Sequence, residues 1–228
     1  MLLKPYSQLP QSMQTEEVLA FYNILNKKKA TLIAKRIFEL ICALFVLIIM
    51  SPFFLIIAVS IKLDSKGPVF FKQVRVARYN KDFKIFKFRT MVNDADKKGI
   101  QITVGGDSRI TRVGKILRKT RLDEFPQMIN ILIGDMSLIG TRPEVRKYVD
   151  HYTNEHMATL LLPPGVTGSA SIAFKDENDM LSSSEDPEKT YINEILPIKM
   201  GINLEYVKNV SFWLDIKILL QTFACIFK

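Results

Sequence analysis

The chain has 228 residues, enough for one hydrophobic core with an attachment and too few for two large domains. Its formal charge of +9 and pI near 9.5 call for a polyanionic partner, whether nucleic acid, an anionic membrane surface or phosphorylated substrates. Only Cys42 and Cys225, and His151 and His156 five residues apart, are present, which excludes a disulfide framework, offers no zinc site and suits a reducing cytoplasmic face.

Residues 1–34 read as an N-terminal extension that runs through the Lys27-Lys28-Lys29 cluster. Its middle, "TEEVLAFYNILNKKK", has the pattern of a short amphipathic helix, lying at the headgroups or packed loosely on the body. Residues 35–62 form the membrane segment. Ile37 to Ile61 is apolar and about as long as a helix that crosses a hydrocarbon core. It lies too far from Met1 and is too long for a signal peptide, and no small-residue cleavage site follows it. Basic residues flank it on both sides, so the positive-inside rule keeps both ends in the cytoplasm. Lys35 and Arg36 are assigned to lipid phosphates and headgroups. At the middle, Ser51-Pro52 removes a backbone donor and favours a break, and the serine hydroxyl can serve the freed carbonyl. A re-entrant helix-break-helix meets both constraints better than a straight span.

Residues 63–228 read as a single cytoplasmic domain. Gly67-Pro68 marks a turn, "VFFKQVRV" a strand, "YNKD" a second turn and "FKIFKFRTM" a strand, which together predict a hairpin with Lys87 and Arg89 at the cationic end of one face. Residues 91–108 are polar and glycine-bearing, a surface loop. "SRITRVGKILRKT" is a basic amphipathic helix, its charges either solvated or set on anionic lipid. "FPQMINILIG" is a further helix, stopped by Gly134, with Asp123 and Glu124 just ahead of it. Two adjacent acids there either cap and complement the helix, or supply an ionised nucleophile and a hard-oxygen ligand for Mg²⁺ beside an anion site. Arg118, Arg142, Lys87 and Arg89 nearby favour a diphosphate. The closing "SFWLDIKILLQTFACIF" is apolar at helical spacing, with Trp213 suited to a membrane interface.

The stretches "KRIFEL", Ser51-Pro52, "GPVFFKQVRV", "FKIFKFRTM", "TRVGKILRKTRLDEFPQMINILIGDMSLIGTRPE", "PPGVTGSASI" and "EYVKNVSFWLDIKILLQT" together resemble the bacterial sugar transferases that are monotopic polyprenyl-phosphate phosphoglycosyl transferases. The resemblance runs from about Lys35 to the C-terminus. It implies an α/β, helix-rich fold: a re-entrant membrane helix turning at Ser51 and Pro52, a small catalytic body on the cytoplasmic face of the bacterial inner membrane, and amphipathic interfacial helices. The reaction it implies transfers a phosphosugar from a nucleotide sugar, normally a UDP-sugar, to polyprenol phosphate, with release of the nucleoside monophosphate. Asp123 is then the nucleophile, Glu124 its partner, both near Mg²⁺, and Lys87, Arg118 and Arg142 gather phosphates. The pathway would be exopolysaccharide, capsule or another glycan. Nucleic acid is not expected as a partner, and homodimerisation is left open. This chain departs from the family at Thr141 in "GTRP" and at Ser169-Ala170-Ser171, where W/L-A-Q is common, so sugar or nucleotide contacts there are not carried over. Residues 172–200, with "FKDENDMLSSSEDPEKTYINEILPIKM", read as a helical or loop insert that either shapes the sugar pocket or only elaborates the surface, their role left open, and the sugar is not legible. Two other classes compete: a membrane-tethered binding protein that tolerates loss of Asp123, and a glycosyltransferase that transfers the sugar alone and releases UDP.

Overall fold

The computed structural model describes residues 2–93 and 107–226, so most of the predicted surface loop at 91–108 lies outside the described residues. The chain folds as α1 (Glu16–Asn26), α2 (Lys29–Asp64), β1 (Phe70–Val76), β2 (Asp82–Phe88), α3 (Arg112–Lys119), α4 (Gln127–Ile133), β3 (Ser137–Ile139), α5 (Arg146–Val149), β4 (Gly165–Thr167), α6 (Ser169–Ala173), α7 (Glu177–Ser182), α8 (Pro187–Thr190), α9 (Leu196–Asn209) and α10 (Phe212–Ile226). Helices dominate; β1 and β2 form the expected antiparallel hairpin, with Lys87 opposite Phe71, and β3 pairs β4 in parallel.

The main core joins both ends of the chain. Val18, Phe21 and Leu25, one face of α1, are buried with Leu160, Leu161, Leu204 and Val207. The apolar face of the N-terminal extension is thus covered by protein, which corrects the expectation of a helix lying at the headgroups. The period of three and four residues was legible, but period alone does not say whether lipid or protein covers the face.

Helix α2 is longer than the predicted segment and continuous, with Pro52 inside it. The expected break at Ser51 and Pro52 is therefore absent as an interruption of helical structure. A reason is visible: Pro52 cannot donate to the Ile48 carbonyl four residues back, and the Ser51 hydroxyl donates to that carbonyl instead, at 2.8 Å. Only 6% of its most apolar 18-residue stretch is buried in the protein, and Ile41, Phe45, Ile48, Leu55 and Ile56 are exposed. Such a surface does not belong to the core helix of a water-soluble body.

Both ends of α2 are fixed to the same body. Near its start, Lys35 Nζ reaches the Ile139 carbonyl at 2.9 Å, Asp215 Oδ2 at 2.7 Å and Glu39 Oε1 at 2.9 Å. Arg36 donates to the carbonyls of Ile131 at 2.6 Å and Met136 at 3.2 Å, serving carbonyls in the last turn of α4 and just after it. At its end, Asp64 Oδ2 accepts the Val113 amide at 2.9 Å, capping α3, while Ile61, Phe88 and Leu117 form a buried cluster. Arg89 donates to the carbonyls of Ser65 at 2.7 Å and Lys66 at 2.8 Å. These contacts correct three assignments. Lys35 is buried at 2% exposure and points into the body, not to a headgroup. Arg36 caps a helix end, and Arg89 turns both terminal nitrogens to the end of α2 while still lining the cleft of the body. In each case a basic residue near an apolar segment had two possible partners, carboxylates and carbonyls of the fold or phosphates of lipid, and the fold partners lie mostly far from it in the sequence.

Candidate active site

An open cleft of about 1760 Å³ lies between the β1–β2 hairpin, α2, α10 and the loops around β3 and β4. Lys87, Arg118, Asp123, Glu124 and Arg142 all line it. With Arg89, which also lines the cleft, the six charged residues singled out in the body by the sequence are therefore brought together, whereas Lys35, Arg36, Ser51 and Pro52 lie outside the cleft lining.

Local structure explains the gathering. Arg121 adopts the left-handed conformation (φ 57°) and turns the chain out of α3 into a single 3-10 turn, Leu122–Glu124, three residues ahead of α4. Leu122 packs toward the Phe88 and Leu117 cluster, which fixes the turn while both acids stay buried beside the cleft. Asn130 of α4, fully buried, accepts the Phe86 amide and donates to the Lys84 carbonyl, both at 2.9 Å, and so fixes β2 against the helix that follows the acids. That staple brings Lys87 opposite Glu124.

Arg142 comes from the loop after β3, where glycine backbones meet. Gly140 donates to the Thr167 carbonyl at 2.9 Å, and Gly165 donates to the Thr141 carbonyl at 2.8 Å. A methyl group on Gly165 would sit 2.1 Å from the Gly140 nitrogen and 2.6 Å from the Thr167 carbonyl oxygen, and neither backbone atom can swing aside. Gly165→Ala is expected to lower stability by roughly 1–3 kcal/mol through overpacking and to lower turnover by displacing Arg142. Thermal unfolding and turnover of the variant check this; an unchanged melting temperature would refute the close packing.

The two acids differ in their surroundings. Glu124 Oε1 accepts Lys87 Nζ at 2.9 Å and a short bond from Arg142, whose other terminal nitrogen reaches Oε2 at 3.2 Å. Burial alone would raise the Glu124 pKa, but Arg142 and Lys87 outweigh it and hold the carboxyl well below its usual range. Asp123 has no side-chain hydrogen bond to a described residue. Burial, and then the Glu124 charge beside it, push its carboxyl up, against the pull of Lys87, Arg118 and Arg142. Arg118 donates from Nε to Thr90 at 2.9 Å, leaving its terminal nitrogens for the cleft. The result is one ion-paired carboxylate that holds two cations in place and one carboxyl group without a side-chain hydrogen bond among the described residues.

A divalent ion fits this donor set. Mg²⁺ takes one or two carboxylates and fills its other positions with water and substrate phosphates, and no cluster of three potential ligands occurs among the described residues. Asp123 has unshared oxygen lone pairs to offer, whereas Glu124 would have to share oxygens already engaged by Lys87 and Arg142.

Sequence reading passed over a second polar group on the cleft wall. Tyr191 donates to Glu144 Oε1 at 2.5 Å, and Lys199 reaches Tyr191 Oη at 2.9 Å, Glu144 Oε1 at 3.3 Å and Glu177 Oε2 at 3.0 Å. Tyr191 begins one π-helical turn, Tyr191–Ile195, and Leu181, Ile195, Leu196 and Met200 pack with Tyr148 behind it. The region 172–200 thus contributes a buried wall to the cleft. Glu144 stood in the quoted "GTRPE", but nothing in the local sequence points to partners 47 and 55 residues away.

A family model described as bacterial sugar transferase matches residues 30–228. The chain is 40% identical over 195 residues to a UDP-N-acetylgalactosamine-undecaprenyl-phosphate N-acetylgalactosaminephosphotransferase of Aeromonas hydrophila, covering 84% of this chain and 43% of that protein. It is 38% identical to a UDP-glucose:undecaprenyl-phosphate glucose-1-phosphate transferase of Klebsiella pneumoniae, covering 84% and 39%. With the exopolysaccharide production protein PSS of Rhizobium leguminosarum it shares 36% identity, covering 84% and 94%. The chain thus spans about two fifths of the length of the first two relatives and nearly all of the third.

Proposed function

Because the chain belongs to the bacterial sugar transferase family, we propose that it moves a sugar 1-phosphate from a UDP-sugar to polyprenol phosphate, forming a polyprenyl diphosphate-sugar and releasing UMP. The observation that carries this reading is the Asp123 carboxylate, without a side-chain hydrogen bond among the described residues, in a cleft where Lys87, Arg118 and Arg142 also converge. A carboxylate oxygen of Asp123 attacks the sugar-bearing phosphorus; that O–P bond forms as the bond from phosphorus to the bridging oxygen breaks, and UMP carries the electron pair away. A phosphate oxygen of the polyprenol phosphate then attacks the same phosphorus, and the Asp123 O–P bond breaks to restore the carboxylate. Arg118 and Arg142 orient the phosphoryl oxygens and oppose their charge, while Glu124 keeps Lys87 and Arg142 in position. Mg²⁺, held by Asp123 with Glu124 at its side, would supply further neutralisation of the diphosphate.

The donor panel is the direct test. Purified protein with Mg²⁺, polyprenol phosphate and a set of UDP-sugars should release UMP with one of them; UDP as the product would instead mean transfer of the sugar alone. The pH profile is a second check. The nucleophile must be ionised, and its carboxyl is raised by burial and by Glu124, so kcat/KM should fall as pH decreases at values above the ordinary aspartate pKa of about 3.9. Activity that stays flat down to that value would take the role from Asp123.

The same reading puts the body on the cytoplasmic face of the inner membrane, with α2 re-entrant by a bend at Pro52 within its continuous helix. A straight helix of 36 residues is about 54 Å long, well beyond a hydrocarbon core of about 30 Å. Support comes from its two ends, both docked on one body, and from the lysines beyond each end. Ile116 on α3 and Trp213, Leu220 and Phe223 on α10 are exposed apolar residues that would rest in the interface. Cysteines placed at Lys29 and Lys66 should both react with an impermeant thiol reagent from the cytoplasmic side only; reaction at opposite sides would establish a straight span.

A further inference from the structure

The cleft has an apolar end that the chemistry at Asp123 does not use. Beyond Arg142, whose Nη1 donates to the Val166 carbonyl at 3.3 Å, Val166 packs against the same buried cluster as Val46 and Leu47 of α2. The next residue, Thr167, shares a hydrogen bond of 2.9 Å with Thr222 of α10, and the Thr222 hydroxyl also meets the Ile218 carbonyl at 2.9 Å. The hydroxyls here are satisfied by the protein. What lines the space is Cys42, Phe45 and Val46 from α2 and Leu219, Phe223 and Cys225 from α10, with no charged residue from either helix. Phe45 is 63% exposed and Phe223 53%, so this end opens onto the same apolar surface as the rest of α2. Another part of the lining presents Lys72, Lys119, Arg146, Lys147 and Lys175. One cleft therefore meets an apolar surface on one side and a basic, hydrated rim on another, with Asp123 and its cations among the lining.

We infer that the gap between α2 and α10 receives the prenyl chain of the acceptor, its first isoprene units against Cys42, Phe45, Phe223 and Cys225 and its phosphate at Arg142 and Lys87. This rests on the transferase reading given above. Each methylene drawn from hydrocarbon into water costs about 0.8 kcal/mol, so a long prenyl chain stays in an apolar phase and only its phosphate can travel to the nucleophile. Entry through the side of the cleft meets that requirement. The ion pair of Lys35 with Asp215 ties α2 to α10 and fixes the separation of the walls. Continuity with the cation cluster chooses this gap over the other exposed apolar residues, such as Ile133 and Met180, which do not line the cleft.

The chain has only two cysteines, and both line this gap, so the intact protein carries its own reporters. In lipid nanodiscs, the rate of N-ethylmaleimide labelling at each thiol is read by peptide mass spectrometry with undecaprenyl phosphate, inorganic phosphate or no addition. Undecaprenyl phosphate should slow both sites at least five-fold, and inorganic phosphate should slow neither. If a native thiol proves unreactive without ligand, Phe223→Cys takes its place with the same expected pattern. Unchanged rates at an acceptor concentration that saturates UMP release would overturn the inference and leave the transferase reading standing. Protection of both sites without UMP release from any donor would do the reverse.

Discussion

Asp123→Asn should lower UMP release by at least ~10³-fold while the protein stays folded. The amide has the shape of the carboxylate but no anionic oxygen to attack phosphorus, so the first bond cannot form. Folding should not suffer, because no side-chain hydrogen bond to the Asp123 carboxylate is present among the described residues and Glu124, not Asp123, makes the ion pairs with Lys87 and Arg142. The substitution also removes a charge that Glu124 repels. The variant should therefore melt no lower than the parent and still bind a UDP-sugar. Retention of a tenth of the parent turnover would refute the nucleophile and restore the binding-protein reading, which predicts tolerance. Glu124→Gln makes the informative contrast: it weakens the hold on both Lys87 and Arg142, so a loss of stability should accompany any loss of rate.

Lys35→Met should cost about 3–5 kcal/mol of stability, because it leaves Glu39 and Asp215 buried without their shared cation. For a chain of this size that is a fall in melting temperature of roughly 6–20 °C in detergent or nanodiscs. Neutralising the carboxylates as well, in Lys35→Met/Glu39→Gln/Asp215→Asn, should recover much of the loss, since most of the cost is the stranded charge. If Lys35 instead served a lipid headgroup, the single substitution would leave the melting temperature nearly unchanged and reduce affinity for anionic lipid. The triple variant separates the two explanations.

The elements with a strong period were legible before any coordinates: the apolar run of α2, the alternating hairpin, the stripe of α3 and the face of α10. The site was legible for a related reason, since Asp123, Glu124, Arg118 and Arg142 fall within one short stretch and Lys87 sits at the end of a recognisable strand. What the sequence could not supply was the partner of a buried charge. Lys35 and Arg36 looked like headgroup ligands because Asp215 and the Ile131 carbonyl are far along the chain. Arg89 looked free because the carbonyls it caps are ordinary backbone. The Glu144, Tyr191 and Lys199 wall was missed for the same reason. Pro52 failed differently: its missing donor was foreseen, and so was the serine that compensates, but not that the compensation leaves the helix continuous.

The pairing of Lys35 with Asp215 spans 180 residues, and that interval sets an order of events during synthesis. At roughly 5–20 residues per second, the ribosome needs about 10–40 s after Lys35 before Asp215 exists. In that interval α2 can already be in the bilayer, and its lysine has no carboxylate from the C-terminal helix to meet. The flexible stem lets the ammonium reach the headgroup layer while it waits. Until then the carboxylate within reach of Lys35 on α2 is Glu39, four residues on, and the closing helix completes the pair into a buried triad. A chain arrested before Asp215 should leave Lys35 open to an amine-reactive reagent that the finished protein excludes.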